Sequence, residues 1–149
     1  MENQLNKQFG STAPDGGNDP SPRNNAGADR KPIILAIDDS PMMLKTVSSL
    51  LSDEYKVYML AKPAMLEKML SQIVPDLFLL DYNMPIINGS ELIPIIRSFE
   101  QHKNTPVIFI TSEGTIGNIT SADMHDACDI IEKPVQPSIL RERIAKHIA

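Results

Sequence analysis

Five short apolar runs, each separated from the next by a stretch of helical periodicity, constrain this chain more than any other feature. The runs are Ile33–Ile37, 55–60, 77–80, 107–110 and the brief 130–131. Short, nearly continuous runs of Ile, Leu, Phe and Val are what strands buried on both faces of a parallel sheet require. Between them, Met43, Val47, Leu50 and Leu51 fall on one helical face. Leu66, Met69, Leu70 and Ile73 do the same in a helix predicted over about 64–73, after Pro63. A third face collects Leu92, Ile95, Ile96 and Phe99, and the last collects Leu140, Ile144 and Ile148. The alternation predicts an α/β fold with a parallel sheet covered on both sides. The run 55–60 is the most amphipathic and fits an edge strand. A further helix is expected within 115–127, with only Ile116, Ile119, Ala122 and Met124 to pack, which makes it the expected mobile element. Pro94 is compatible with a helix that starts near Gly89 or Ser90, and Pro137 suits the opening turn of the last helix.

The first 31 residues obey different rules. Segment 1–31 is dense in Gly, Pro, Asn and Asp, with Leu5 and Phe9 as its sizeable apolar groups. Such a stretch buries too little to offset its backbone entropy, so a disordered tail over 1–31 and one folded domain over 32–149 are expected. Glu2, Asp15, Asp19 and Asp29 balance Lys7, Arg23, Arg30 and Lys31, so the net charge of −5 belongs to the remainder. That balance argues against a nucleic-acid surface. No run of about eighteen apolar residues and no positively charged leader followed by an apolar stretch is present, so no membrane partner is expected and the address is cytoplasmic by default. Cys128 is the single cysteine, which excludes an internal disulfide and suits a reducing compartment. It is expected to be a small buried or half-buried side chain.

Polar residues follow the apolar runs at regular places. Asp38 and Asp39 follow the first strand, Asp81 ends the third, Thr111 and Ser112 end the fourth, and Lys133 with Pro134 follows the fifth. In an open parallel sheet these positions share the carboxyl edge, where chemistry collects. Three carboxylates brought together there repel one another, and a divalent cation relieves that repulsion. A ligand set of oxygens alone favours a hard ion such as Mg²⁺. Beside such an ion the Asp81 carboxylate can attack phosphorus in line, with the Lys133 ammonium offsetting charge on the phosphoryl oxygens and the Thr111 hydroxyl donating a further hydrogen bond. Taken singly, each of these is readable as an ordinary loop residue or a solvated lysine; the ordered set is the signal.

At this point the sequence resembles the receiver domain of bacterial response regulators, of the kind that stands alone in the chemotaxis regulator. The resemblance covers about 31–149 and rests on ILAIDDS, PDLFLLDYNMPIING, PVIFITSEG and IIEKPV. The spacings fit as well: 42 residues from Asp39 to Asp81, 30 on to Thr111 and 22 more to Lys133. The resemblance implies a flavodoxin-like, doubly wound (βα)5 fold whose five-stranded parallel sheet has the order 2-1-3-4-5. It implies that Asp81 accepts the phosphoryl group and that Asp38 and Asp39 are the metal-binding pair. The backbone carbonyl of Asn83 would be a further metal ligand beside Asp81, with Thr111 and Lys133 completing the site. The side chains of Asn83 and Glu113 would border the path of an attacking water. Implied partners are a sensor histidine kinase or phosphotransfer protein as donor and a downstream protein target, for a monomer or a weak phosphorylation-dependent dimer.

The chain departs from the family pattern at Ile130, where a Tyr or Phe is usual, and at Asp126, which stands where the pair before the strand usually has a glycine. Because the sequence stops at Ala149 near the end of the last helix, no output domain is expected and no enzymatic activity beyond the chain's own phosphorylation and dephosphorylation. A receiver-like interaction module that is never phosphorylated is the alternative; loss of an acidic residue or of Lys133 would have marked it, and both are present. An aspartyl-phosphate phosphohydrolase would place its nucleophile after the first strand, which here ends IDDSP. His102, His125 and His147 are dispersed, which speaks against a histidine phosphotransfer domain.

Overall fold

The computed structural model describes residues 30–85, 87–112, 119 and 127–148. The body of the fold, Pro32–Ala149, is built on a single sheet of five strands: β1 (Ile33–Ile37), β2 (Lys56–Leu60), β3 (Leu77–Asp81), β4 (Val107–Thr111) and β5 (Asp129–Glu132). All adjacent pairs are parallel and the order is β2-β1-β3-β4-β5. The fold is therefore the flavodoxin-like doubly wound sheet. The amphipathic run at 55–60 is the edge strand β2, and β3 and β4, apolar except for Asp81 and Thr111 at their ends, are buried along their full length.

The side-chain alternation of a strand sorts the core into two halves. On one face Ile34, Ala36, Leu77, Leu79, Ile108 and Ile110 meet helix α1 (Pro41–Leu51) through Leu44, Val47 and Leu51. The last described helix, α4 (Pro137–His147), adds Leu140 and Ile144 to that face. On the other face Leu35, Ile37, Phe78, Leu80 and Phe109 meet α2 (Leu66–Leu70) through Leu66 and Leu70, and α3 (Ile93–Arg97) through Ile93 and Ile96. Each fully buried aliphatic side chain contributes about 2 kcal/mol, so the two faces together supply the driving force for a sheet whose central strands are shut off from water.

Helix boundaries depart from the periodicity in instructive ways. In α1 the stripe is centred on Leu44, Val47 and Leu51, with Met43 and Leu50 only partly buried at its sides. The helix predicted over 64–73 is shorter: a 3-10 turn at Pro63–Met65 leads into Leu66–Leu70. A last helical bond from Ile73 N–H to Met69 O closes it before Pro75, which disfavours helical backbone at Val74. The third helix does start at Gly89, as a 3-10 turn over Gly89–Leu92. Asn88 Oδ1 caps it by accepting from Ser90 N at 2.9 Å, while Asn88 N donates to Glu91 Oε2 at 3.1 Å. Pro94 then sits in the first turn of α3, where its missing N–H costs least. The helix expected within 115–127 and the side chain of Glu113 lie outside the described residues, apart from Ile119 and Ala127. So do the expected tail over 1–31, apart from Arg30 and Lys31, and His125. Among the described residues no helix is long and apolar enough to cross a membrane.

Candidate functional site

The polar residues that follow β1, β3, β4 and β5 meet at the carboxyl edge of the sheet. Asp38, Asp39 and Asp81 bring carboxylate oxygens that all lie within 4.8 Å of one another. Asp38 and Asp81 are buried, and Asp39 is exposed. Asp39 also lines an apolar cleft of about 540 Å³ between the β2–α2 connection and the loop before α3, so solvent reaches the acidic group from that side.

The two buried carboxylates each accept from a backbone N–H and share one cation. Asp38 Oδ1 accepts from Ser40 N at 2.9 Å, and Asp81 Oδ1 accepts from Asn83 N at 3.2 Å. Lys133 Nζ lies 3.6 Å from Asp38 Oδ2 and 3.6 Å from Asp81 Oδ1, so one ammonium bridges the two buried carboxylates. The backbone sets its place: Lys133 N donates to Thr111 O at 2.7 Å, and the Lys133–Pro134 peptide is cis.

One ammonium does not neutralise three carboxylates. Burial, and then the charge of Asp38, push the Asp81 carboxyl up to about 7, although Lys133 and the Asn83 N–H pull the other way. The site thus holds more negative charge than it can satisfy by itself. A hard divalent cation fits that donor set, with Asp38, Asp39 and Asp81 as the candidate holders.

Thr111 is fully buried at the end of β4, and its hydroxyl donates to Asn83 Oδ1 at 3.1 Å. The same Oδ1 accepts from Ser112 N at 3.2 Å. Sequence reasoning had treated the Asn83 side chain as a group beside a water path, so its tie to the end of β4 is a feature that reasoning missed. Spacing carries no signal for it, because the link crosses from one loop to the next strand. The resemblance matches Gly89 to a turn of the family, but its close approach to Asp81 is a second such feature: its N–H donates to Tyr82 O at 3.1 Å, and it packs directly on the backbone of Asp81.

The remaining candidates lie away from the cluster. Ile130, in β5, pairs with Phe109 and packs, partly buried, against the core face that contains Ile119. Cys128, expected to be buried or half-buried, is exposed, because it precedes an edge strand; its Sγ donates to Val107 O at 3.3 Å. His147 Nε2 lies 3.1 Å from Asp129 Oδ2, and His102 is buried against Phe78 and Phe99. Neither histidine belongs to the acidic group.

Known proteins share the sequence pattern and the fold of this chain. Residues 34–145 match the family described as the response regulator receiver domain. Protein RcaC of Microchaete diplosiphon is 34% identical over 118 residues; these are 77% of this chain but 18% of that protein, so the chain corresponds to a small part of it. Chemotaxis protein CheY1 of Helicobacter pylori is 30% identical over 114 residues, which are 74% of this chain and 92% of CheY1. Among solved structures, the chemotaxis response regulator CheY4 of Vibrio cholerae superposes with a TM-score of 0.69 at 26% identity, covering 78% of this chain and 98% of that one.

Proposed function

We propose that this chain, which belongs to the response regulator receiver family, accepts a phosphoryl group on Asp81 and passes the signal on through altered protein contacts. The observation that carries this is the position of Asp81 Oδ1, buried, 3.6 Å from Lys133 Nζ and grouped with the Asp38 and Asp39 carboxylates. One oxygen of Asp81 bonds to phosphorus while the bond from phosphorus to the donor breaks. The departing atom keeps the electron pair, and the product is an acyl phosphate. That departing atom is an imidazole nitrogen when a histidine kinase or phosphotransfer protein is the donor, and an oxygen when a small acyl phosphate is.

Asp81 must be ionised to attack, and its carboxyl, raised to about 7, is only partly so at neutral pH when no cation is bound. Asp38, Asp39, Asp81 and the carbonyl of Asn83 would hold Mg²⁺. Bound there, magnesium supplies the positive charge that keeps Asp81 ionised and offsets charge on the phosphoryl oxygens. Lys133 would offset charge on the same oxygens, and Thr111 would donate a hydrogen bond to one of them. CheY1 and CheY4 are chemotaxis proteins by name, and a downstream protein target is the corresponding output proposed here. The setting is the cytoplasm, and segment 1–31 is dispensable for the transfer itself.

The deciding experiment incubates the protein with Mg²⁺ and acetyl phosphate and locates acid-labile phosphate by mass. Label is expected on Asp81 alone and absent from Asp81→Asn, whose amide is not a nucleophile. Full labelling of that variant would refute the assignment.

A further inference from the structure

We propose that the Asn83 side chain is a positioning element, a latch whose carboxamide oxygen occupies the two donors that a phosphoryl group on Asp81 would otherwise engage. The inference rests on the phospho-acceptor reading of the site. It begins with two hydrogen bonds that converge on one atom: Thr111 Oγ1 donates to Asn83 Oδ1 at 3.1 Å, and Ser112 N donates to it at 3.2 Å. Thr111 is fully buried, so its hydroxyl has no water to turn to and takes what the neighbouring loop offers.

Asn83 is tied at its other end as well. Its backbone N–H donates to Asp81 Oδ1 at 3.2 Å. One residue therefore links the candidate acceptor carboxylate to the end of β4. An acceptor placed on Asp81 and able to reach the Thr111 hydroxyl competes for the donors that Asn83 Oδ1 now holds. A phosphoryl oxygen carries negative charge and is the stronger acceptor, whereas the amide oxygen is neutral. The amide holds Thr111 and Ser112 in the free protein and yields them when the charged acceptor arrives. The difference between the two acceptors then sets how far the free protein is biased against the engaged position. Asn83 accordingly acts on the chemistry through Thr111 and Ser112, without taking part in bond making.

The test compares the parent with Asn83→Ala, Asn83→Ser and Asn83→Asp in the full chain, by titration with beryllofluoride in the presence of Mg²⁺. Alanine and serine keep the Asn83 backbone, and neither side chain reaches both donors. Each is expected to bind beryllofluoride about fivefold more tightly, the equivalent of the competing bond to buried Thr111 alone, because Ser112 is exposed and water replaces the bond that its N–H loses. In the free form of both, the amide resonances of Thr111 and Ser112 should move toward their positions in the beryllofluoride-bound parent. Aspartate supplies a charged competitor and should weaken binding. If the parent binds beryllofluoride and is labelled on Asp81, yet alanine and serine bind no more tightly and leave both resonances in place, the latch is wrong while the acceptor assignment stands. If the parent neither binds beryllofluoride nor is labelled, both fall.

Discussion

Gly89 approaches Asp81 so closely that a Cβ on Gly89 would lie 2.4 Å from the Asp81 carbonyl oxygen and 3.1 Å from its carbonyl carbon. The atoms it would meet are backbone, at the end of a strand buried on both faces, so they have no flexible tip to swing aside. Gly89→Ala should therefore move the loop or the end of β3. A loss on the order of 2 kcal/mol in unfolding free energy is expected, as for an overpacked interior position. Labelling of Asp81 by acetyl phosphate should slow in the same variant. Chemical denaturation checks the first expectation and a labelling time course the second; a variant as stable and as fast as the parent would show that the loop gives way freely.

The raised carboxyl of Asp81 makes stability depend on pH in an unusual direction. Burial, and then the Asp38 charge, lift it from an ordinary carboxylate value to about 7. Between the unfolded value near 4 and the folded value, the native chain holds a proton that the unfolded chain has released. Stability contributed by this group is therefore greatest at low pH and is lost as pH rises toward 7. Melting temperatures in a chelator between pH 5 and 8 should fall across that window for the parent and change less for Asp81→Asn. Added Mg²⁺ should reverse the loss at pH 8 and do little at pH 5, where the proton competes.

Asp129 works the other way. Burial alone would raise its carboxyl, but the His147 hydrogen bond, the Ile130 N–H and the Arg143 charge together hold it below the usual carboxylate range. Arg143 Nη1 lies 2.6 Å from Asp129 Oδ1, and His147 Nε2 lies 3.1 Å from Asp129 Oδ2, so one carboxylate joins β5 to two residues of α4 one turn apart. A depressed folded value gives stability that is present above the unfolded value and is lost as pH falls through the folded one. Asp129→Asn should cost on the order of 1 kcal/mol at pH 7 and less at pH 3, as read by urea unfolding at the two values. An equal loss at both would mean that the ion pair contributes nothing.

How far the sequence alone reaches differs between fold and site. The strands were legible because β3 and β4 are buried on both faces and so carry almost nothing but Leu, Ile, Phe and Val. Asp38, Asp39, Asp81, Thr111 and Lys133 were legible as a group because each immediately follows or ends such a strand, and strand ends in a parallel sheet share one edge. What escaped is what loops decide. The bond from Thr111 to Asn83 Oδ1 and the approach of Gly89 to Asp81 depend on backbone paths that no periodicity encodes. His102 escaped for another reason. It is a polar residue in the connection before β4, fully buried, with Nδ1 2.9 Å from Thr105 Oγ1 and its Nε2 without a hydrogen-bond partner. Composition assigns such a residue to the surface, and only its contacts with Phe78 and Phe99 show why it is inside. The shortened α2 was missed because Val74 and Pro75 end a helix whose apolar spacing continues to Ile73.

Ile130 is one of the two places where this chain parts from its family, and its surroundings give that departure a physical consequence. It pairs with Phe109 in the register of β4 and β5 and packs, partly buried, on the same core face as Ile119. A β-branched side chain is stiff at its first torsion, and isoleucine is too short to exchange a solvent position for a buried one over the span of an aromatic ring. It also has no hydroxyl to offer a partner. A change at Thr111 therefore reaches β5 without a side-chain rotation at Ile130, and the free and phosphorylated forms should differ less along that strand than they would with a ring present. Amide spectra of the free and beryllofluoride-bound protein check this in the parent and in Ile130→Tyr. Changes at Thr111 and Ser112 are expected in both proteins, and changes through Asp129–Glu132 are expected to be larger in the tyrosine variant. If the parent already shows the full spread along β5 and tyrosine adds nothing, the ring is dispensable, and coupling from Thr111 to this edge of the sheet runs through the backbone bond from Lys133 N to Thr111 O instead.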